Sequence, residues 1–349
     1  MKKFSYIEIL RFFTALSVLT SHYLHFFYPW SSYSNINSLD KSILPFFWIL
    51  EIIYEHGRYG VQMFWAISGF VFAFVYLEQK NKISGKDFLV NRFARLYPLH
   101  FLTLIFITVL QILSFKINGK YQIYFVNDLY HFLINLFYVN GWPGLAKDSS
   151  FNAPTWSVSI ELLIYFLFFI SIIYINKFKI KLIIPIYILL LLIDKSFIST
   201  NFYKQALFDC ARLFYSGILV YYLYLKFNNK KYLIFFSLII ILISLIGSFK
   251  IFLLFPSIIL LFASFGTIKS YNIKYLFQFS GDLTYALYLL HIPVQILIIL
   301  IFGYLNISSE IFLNGYSFLL FIVLMIFLAS ICFHLFEKPI NKKIRKYFS

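Results

Sequence analysis

Residues 156–175 read WSVSIELLIYFLFFISIIYI, twenty positions with a single charge, Glu161. A helix crossing ~30 Å of hydrocarbon needs about 20 largely apolar residues, so this stretch reads as a membrane span. Comparable runs lie near 7–28, 59–77, 96–115, 182–193, 207–225, 232–248, 251–268, 283–303 and 316–336. Composition agrees. Of 349 residues, 61% are hydrophobic and 13% charged, and mean hydropathy is +0.81. Soluble chains hold about 45–50% apolar and about 25% charged residues. A secreted disulfide-stapled domain, a disordered chain and an ordinary cytosolic enzyme are therefore excluded. Cys210 and Cys332 lie inside apolar runs without CxxC spacing, which suggests neither a metal site nor a redox motif.

The expected fold is all-α: a polytopic membrane bundle of about ten transmembrane helices, one domain over 1–349 with no separate soluble domain. Met1-Lys2-Lys3 before an apolar stretch is similar to a signal peptide. Arg11 interrupts that stretch and no small-x-small site precedes Tyr28, so a retained first helix is expected. The apolar piece 130–140 is short and interrupted by His131, Asn135 and Asn140; with 46–54 it reads as interfacial or re-entrant. Ten spans with both termini cytoplasmic put 20 Lys/Arg in inner segments and eight in outer ones, with Arg11 and Arg212 inside spans. That is the positive-inside pattern. The formal charge of +16 is then loop charge; a nucleic-acid surface would need it gathered on one soluble face, so no nucleic-acid partner is expected.

Ionisable residues inside spans cost ~2.5–3.5 kcal/mol each on insertion scales and mark candidate sites. Arg11 and His22 are eleven residues apart. On a continuous helix this places them on one face, roughly 16 Å apart along the axis. Histidine at depth suits a base, its ordinary pKa of ~6.5 being close to neutrality. The alternative is a hydrogen-bonded structural histidine beside a snorkelling arginine. His25, one turn further, reads as structural near the outer interface. Arg92 and Arg95, three apart at a helix start, suit bidentate phosphate binding, whether of lipid or of ligand. Ser157 and Glu161 point one way at i and i+4. Tyr285, Tyr288 and His291 form a polar stripe on an apolar helix. Asp209 and Arg212 read as a mutually neutralising pair.

Together these pieces resemble the membrane-bound acyltransferase 3 family. Arg11-x10-His22 is similar to its first-helix Arg/Lys-x10-His motif, and Gly60-Val61-Gln62-Met63-Phe64-Trp65-Ala66-Ile67-Ser68-Gly69-Phe70 to its Gly-Val-Asp-x-Phe-Phe-x-Ile-Ser-Gly-Phe segment. Arg92-Phe93-Ala94-Arg95-Leu96-Tyr97-Pro98 resembles Arg-x-x-Arg-x-Tyr-Pro. Trp156-Ser157-Val158-Ser159-Ile160-Glu161 corresponds to Trp-Ser-Leu-Ser-Val-Glu, Thr284 through His291 to Ser-Tyr-x-Leu-Tyr-Leu-x-His, and Glu337-Lys338-Pro339 to the closing Glu-x-Pro. Six fragments in order cover nearly the whole chain. Gln62 departs from the pattern, standing where many relatives carry Asp.

The resemblance implies a multi-pass protein of the bacterial inner membrane, among membrane lipids, that transfers an acyl group. The usual group is acetyl, from cytoplasmic acetyl-CoA as donor co-substrate, onto a hydroxyl of a surface carbohydrate, free or lipid-linked. His22 would act as general base or as transient acyl acceptor, Arg11 on CoA charge or the departing thiolate, and Glu161 on the imidazole or the sugar. Arg92 and Arg95 would hold the CoA phosphates. Ser157, Trp156, Tyr285, Tyr288 and His291 would line the cavity, and no metal is needed. No hydrolase-like SGNH extension is expected, so an acyl relay to a second protein would need a separate chain. A transporter or flippase for a lipid-linked glycan would also use buried Arg, His and Glu, but predicts no acyl-CoA dependence. A glycan polymerase or ligase would carry larger outer loops.

Overall fold

The computed structural model describes residues 4–27, 42–77, 84–193, 201–246, 250–266 and 268–348. Met1–Lys3, the limit of the first span at Tyr28, and Lys41, Lys80, Lys82 and Lys195 of the charge pattern lie outside the described residues. Among the described residues every regular element is helical: α1 Ser5–Ser21, α2 Phe47–His56, α3 Gly60–Tyr76, α4 Gly85–Asn118, α5 Leu129–Leu136, α6 Trp156–Phe178, α7 Ile180–Leu192, α8 Phe202–Lys226, α9 Lys230–Ile246, α10 Lys250–Ser264, α11 Tyr271–Tyr304, α12 Gly315–Cys332 and α13 Lys338–Phe348.

Each of the ten expected spans falls on one of these helices. Among the described residues, six helical stretches are both long and apolar enough to cross a membrane: Phe47–Tyr76, Gly85–Asn118, Ala153–Phe178, Phe202–Lys226, Tyr271–Tyr304 and Gly315–Phe348. The other four expected spans fall on shorter helices, α1 and α9 of 17 residues, α10 of 15 and α7 of 13. The 46–54 piece, read from sequence as interfacial or re-entrant, is helix α2, joined to α3 through one 3₁₀ turn, Gly57–Tyr59. The 130–140 piece forms only the two-turn α5. Local chemistry sets several starts. Asn201 caps α8 by accepting from Lys204 N, and Asn314 caps α12 by accepting from Tyr316 N, each matching a backbone donor that the first helical turn leaves unpaired.

The chain divides into two compact units interleaved in sequence. The first comprises Met1–Thr14, Val61–Gly85 and Ser157–Asp282. Within it α7 packs on α8, and α10 packs on both α8 and α9. Helices α3 and α8 meet through reciprocal glycines. A Cβ on Gly69 would lie 1.8 Å from the Phe214 carbonyl oxygen, and one on Gly217 would lie 2.0 Å from that of Ala66. Small residues let two backbones approach where no hydrophobic force drives helices together.

Arg212 does more than neutralise Asp209, which it meets at 3.0 Å. Its Nε and Nη2 donate to the carbonyls of Leu190 and Ile193, both at 2.7 Å. These are carbonyls that the C-terminus of the short α7 leaves unpaired. Proline creates a similar need inside α10. Pro256 has no N–H for the Phe252 carbonyl four residues back, and the Tyr187 hydroxyl donates there instead, at 3.1 Å.

The second unit comprises Ala15–Gly60, Lys86–Trp156 and Leu283–Ser349. Its core joins α4 (Leu104, Ile107, Leu110), the loop residues Ile123 and Phe151, and α11 (Ile292, Ile296). Gln111 and Gln122 exchange hydrogen bonds at 2.8 and 3.0 Å, tying the loop after α4 back to its last turns. A π-helical turn, Phe333–Glu337, joins α12 to α13.

Candidate functional site

The second unit brings His22 and His291 together although 269 residues separate them. Helix α1 ends at Ser21, and His22 opens a 3₁₀ segment, His22–Phe26. The α-helical register that relates Arg11 to His22 therefore stops one residue short of the histidine. His22 Nδ1 lies 2.9 Å from His291 Nε2. The two rings are within 6° of coplanar with centroids 5.0 Å apart. A face-to-face stack would bring them to about 3.5–4 Å, so these rings meet edge to edge through their nitrogens.

Elementary hydrogen-bond accounting fixes the protons. His291 Nδ1 lies 2.7 Å from the Tyr288 carbonyl, which only accepts, so Nδ1 carries the hydrogen. In the neutral ring Nε2 then offers a lone pair. His22 must donate its Nδ1–H to that lone pair, which leaves His22 Nε2 as a bare, basic nitrogen. His22 is partly exposed, whereas His291 is 1% exposed. The basic nitrogen thus belongs to the more accessible of the two rings.

Helix α11 is held in register by its neighbours. Pro293 leaves the Leu289 carbonyl without its helical donor, and Asn152 Nδ2 fills the place at 2.8 Å. The Tyr288 hydroxyl donates to the Pro154 carbonyl at 2.7 Å. Gln295 Nε2 donates to the His22 carbonyl at 2.9 Å. Asn152 and Gln295 escape a sequence search for titratable groups. The signals that point to them are a proline and a carboxamide in the middle of an apolar run.

A second cluster in the same unit surrounds Arg95, whose Nη1 is paired with Glu337. Its guanidinium lies 5.7 Å from the Tyr285 ring centroid. The Tyr285 hydroxyl donates to the Leu96 carbonyl and lies 3.5 Å from that of Tyr138. Tyr138 in turn stacks on His100 at 3.8 Å and 4°, and His100 Nε2 meets the Asn135 carbonyl at 2.7 Å. Arg92 stands three residues before Arg95 on α4, and Trp156 opens α6. Tyr285 and His291 are six residues apart on α11, roughly 9 Å along the axis.

The remaining candidates lie in the first unit. Arg11 Nη1 is 2.8 Å from Glu8 Oε2, an ion pair three residues apart. Glu8 sits over Gly281, where a Cβ would fall 2.1 Å from Glu8 Oε2. Ser157 and Glu161 are buried on α6, and Trp65 Nε1 donates to the Ser157 carbonyl at 3.3 Å. Tyr165, one turn beyond Glu161, donates to Ser68 Oγ at 3.2 Å. Gln62 has a buried Oε1 with no hydrogen-bond partner among the described residues. Among those residues, no three His, Cys, Asp or Glu side chains stand together as metal ligands.

Comparison with known proteins gives these positions a family. The acyltransferase 3 model, described as an acyltransferase domain, matches residues 4–334, and the chain belongs to that family of membrane acyltransferases. An uncharacterized protein of Haemophilus influenzae (strain ATCC 51907 / DSM 11121 / KW20 / Rd) is 30% identical over 165 residues, 42% of this chain and 64% of that relative. The match thus spans less than two thirds of the relative's length. No solved structure matches the chain.

Proposed function

We propose that this protein is an O-acetyltransferase of the bacterial inner membrane that moves acetyl from cytoplasmic acetyl-CoA to a hydroxyl of a cell-surface carbohydrate. The observation that carries the reading is the chain of hydrogen bonds from the Tyr288 carbonyl through His291 to His22, because it leaves His22 Nε2 basic. Family membership favours acyl transfer over the flippase alternative. Ten crossings with both termini cytoplasmic suit the positions of the helices and the distribution of Lys and Arg, and put Arg92 and Arg95 on the side of the CoA pool.

In the base route, the acceptor O–H proton passes to His22 Nε2 as its oxygen bonds the thioester carbonyl carbon. Collapse of the adduct breaks the C–S bond, and the departing thiolate takes the proton from Nε2. In the acyl-imidazole route, Nε2 itself bonds the carbonyl carbon and expels the thiolate; the acceptor oxygen then displaces the imidazole, its proton passing to the thiolate. Both routes place positive charge on His22, and both use the His291 lone pair to hold the Nδ1–H. His291 is thereby a positioning residue. Trp156, Tyr285 and Tyr288, which belong to the same unit as His22, are assigned to the cavity wall. Arg92 and Arg95, the latter paired with Glu337, are assigned to the CoA phosphates.

The test uses membranes with matched amounts of wild type or His22→Ala, radiolabelled acetyl-CoA and the host's own glycans. Label entering base-labile ester with wild type alone supports the assignment. Equal labelling removes His22 as the essential group, and no labelling by wild type removes acetyl transfer.

A further inference from the structure

His25 reads from sequence as a structural residue at the interface, and in the structure it is a buried ring that makes no side-chain hydrogen bond among the described residues. Its side chain is 4% exposed, and neither ring nitrogen has a hydrogen-bond partner among the described residues. The ring lies beside His22, centroids 5.4 Å apart and planes at 25°, with the Tyr124 ring edge-on at 6.1 Å. An imidazole in any charge state carries at least one N–H donor. Burying that donor, and the opposite lone pair, without partners forfeits hydration on both sides of the ring, which native proteins seldom tolerate without a functional reason.

Gln295 presents the matching group. It is fully buried, its amide nitrogen is anchored on the His22 carbonyl, and its Oε1 has no partner among the described residues. His25 is attached to His22 through the ring contact, and Gln295 through the backbone. Between them they leave one donor and two acceptors unmatched beside the candidate base. A hydroxyl donates and accepts at once, so two hydroxyls besides the one that gives its proton to His22 satisfy this set. A carboxylate, phosphate or thioester, which only accepts, would leave the Gln295 oxygen and the imidazole lone pair unmet.

We propose that His25 and Gln295 form the acceptor subsite, binding hydroxyls adjacent to the one that His22 activates, and so select vicinal polyols over isolated alcohols. The inference rests on the acetyl-transfer reading above and specifies its acceptor. A site built to hydrogen-bond a substrate hydroxyl discriminates strongly against analogues that lack it.

The experiment measures acetylation of host glycans by the full chain in lipid nanodiscs, with trans-1,2-cyclohexanediol and cyclohexanol as competing alcohols. In wild type the diol should inhibit at a concentration at least tenfold below that of cyclohexanol. His25→Phe, which keeps a buried ring of similar shape, should erase the difference and raise the glycan KM about tenfold, leaving the acetyl-CoA KM unchanged. Gln295→Leu should act in the same direction. His25→Gln, which retains a donor and an acceptor, should keep the diol preference and guards against misfolding of the Phe variant. Equal inhibition by both alcohols in wild type, or a diol preference that survives His25→Phe, overturns the subsite. Failure of wild type to transfer acetyl at all removes the functional reading and the subsite with it, whereas transfer without diol preference removes the subsite alone.

Discussion

Replacing His291 with Phe keeps a ring in the same slot and removes the lone pair that receives the His22 Nδ1–H. The bond at stake is 2.9 Å long. Once His22 takes a proton its donor is charged, and hydrogen bonds to charged groups are worth about 1.5–3 kcal/mol. At about 1.4 kcal/mol per tenfold in rate, kcat/KM should fall about 10- to 150-fold, through kcat, with little change in the acetyl-CoA KM. His291→Gln returns an acceptor oxygen to the neighbourhood of Nδ1 and should recover activity to within about tenfold of wild type. Initial rates of label transfer from acetyl-CoA, in membranes matched for folded protein, measure both variants. Histidine-selective 15N spectra supply an independent reading, since His22 should show a protonated Nδ1 and a bare Nε2. Full activity in His291→Phe, or equal loss in the Phe and Gln variants at equal stability, would refute the reasoning.

Other consequences follow from single contacts. Gly69→Ala forces a Cβ against the Phe214 backbone, and overpacking of this kind costs about 1–3 kcal/mol; the melting temperature in detergent should drop. Gly303→Ala, where a Cβ meets nothing within 4 Å, should leave it level or raised. Arg212→Met strips donors from the Leu190 and Ile193 carbonyls, so amide exchange over the last turns of α7 should accelerate, and retained protection would count against the capping role. Arg92→Ala should raise the acetyl-CoA KM. Arg95→Ala should chiefly destabilise by removing the guanidinium paired with the buried Glu337, and Glu337→Gln in the same chain should relieve part of that loss. Asp128 caps α5 and meets His131 Nδ1 at 2.7 Å; these bonds hold its carboxyl below the ordinary value of 3.8. Its contribution is therefore present above the usual carboxylate range and fades as pH falls through the lowered native value. Amide protection of 129–136 should follow that course, and Asp128→Ala should exchange faster at neutral pH and converge on wild type as pH falls through that value.

Much of this architecture is legible along the chain because the bilayer imposes a one-dimensional rule. A run of apolar residues long enough to cross must be helical, since each backbone group has to be matched within its own segment. The polar exceptions stand out against that background, which is how Arg11, His22, Glu161, Arg212 and His291 could be singled out before any fold was known. Pairing is different. His22 finds His291 at a separation of 269 residues and Arg95 finds Glu337 at 242, and no local periodicity encodes such distances. Pro256 and Pro293 are intermediate cases. Each proline announces that the carbonyl four residues back needs a donor, but neither reveals that the donor is Tyr187 in one helix and Asn152 in the other.

Satisfaction of hydrogen bonds is what separates an anchor from a site among these buried polar groups. Arg212 looks as functional as His25 when judged by the cost of placing it in a membrane. In the fold Arg212 spends its guanidinium on two helix-end carbonyls and a carboxylate, and its presence is explained by the short helix it terminates. His25 and the Gln295 oxygen have nothing comparable among the described residues, and both are attached to His22. Insertion cost alone ranks the two histidines of the first helical stretch with the arginine. Partner accounting parts them, because the arginine's donors are spent inside the fold whereas His25 and the Gln295 oxygen keep hydrogen-bonding capacity next to His22.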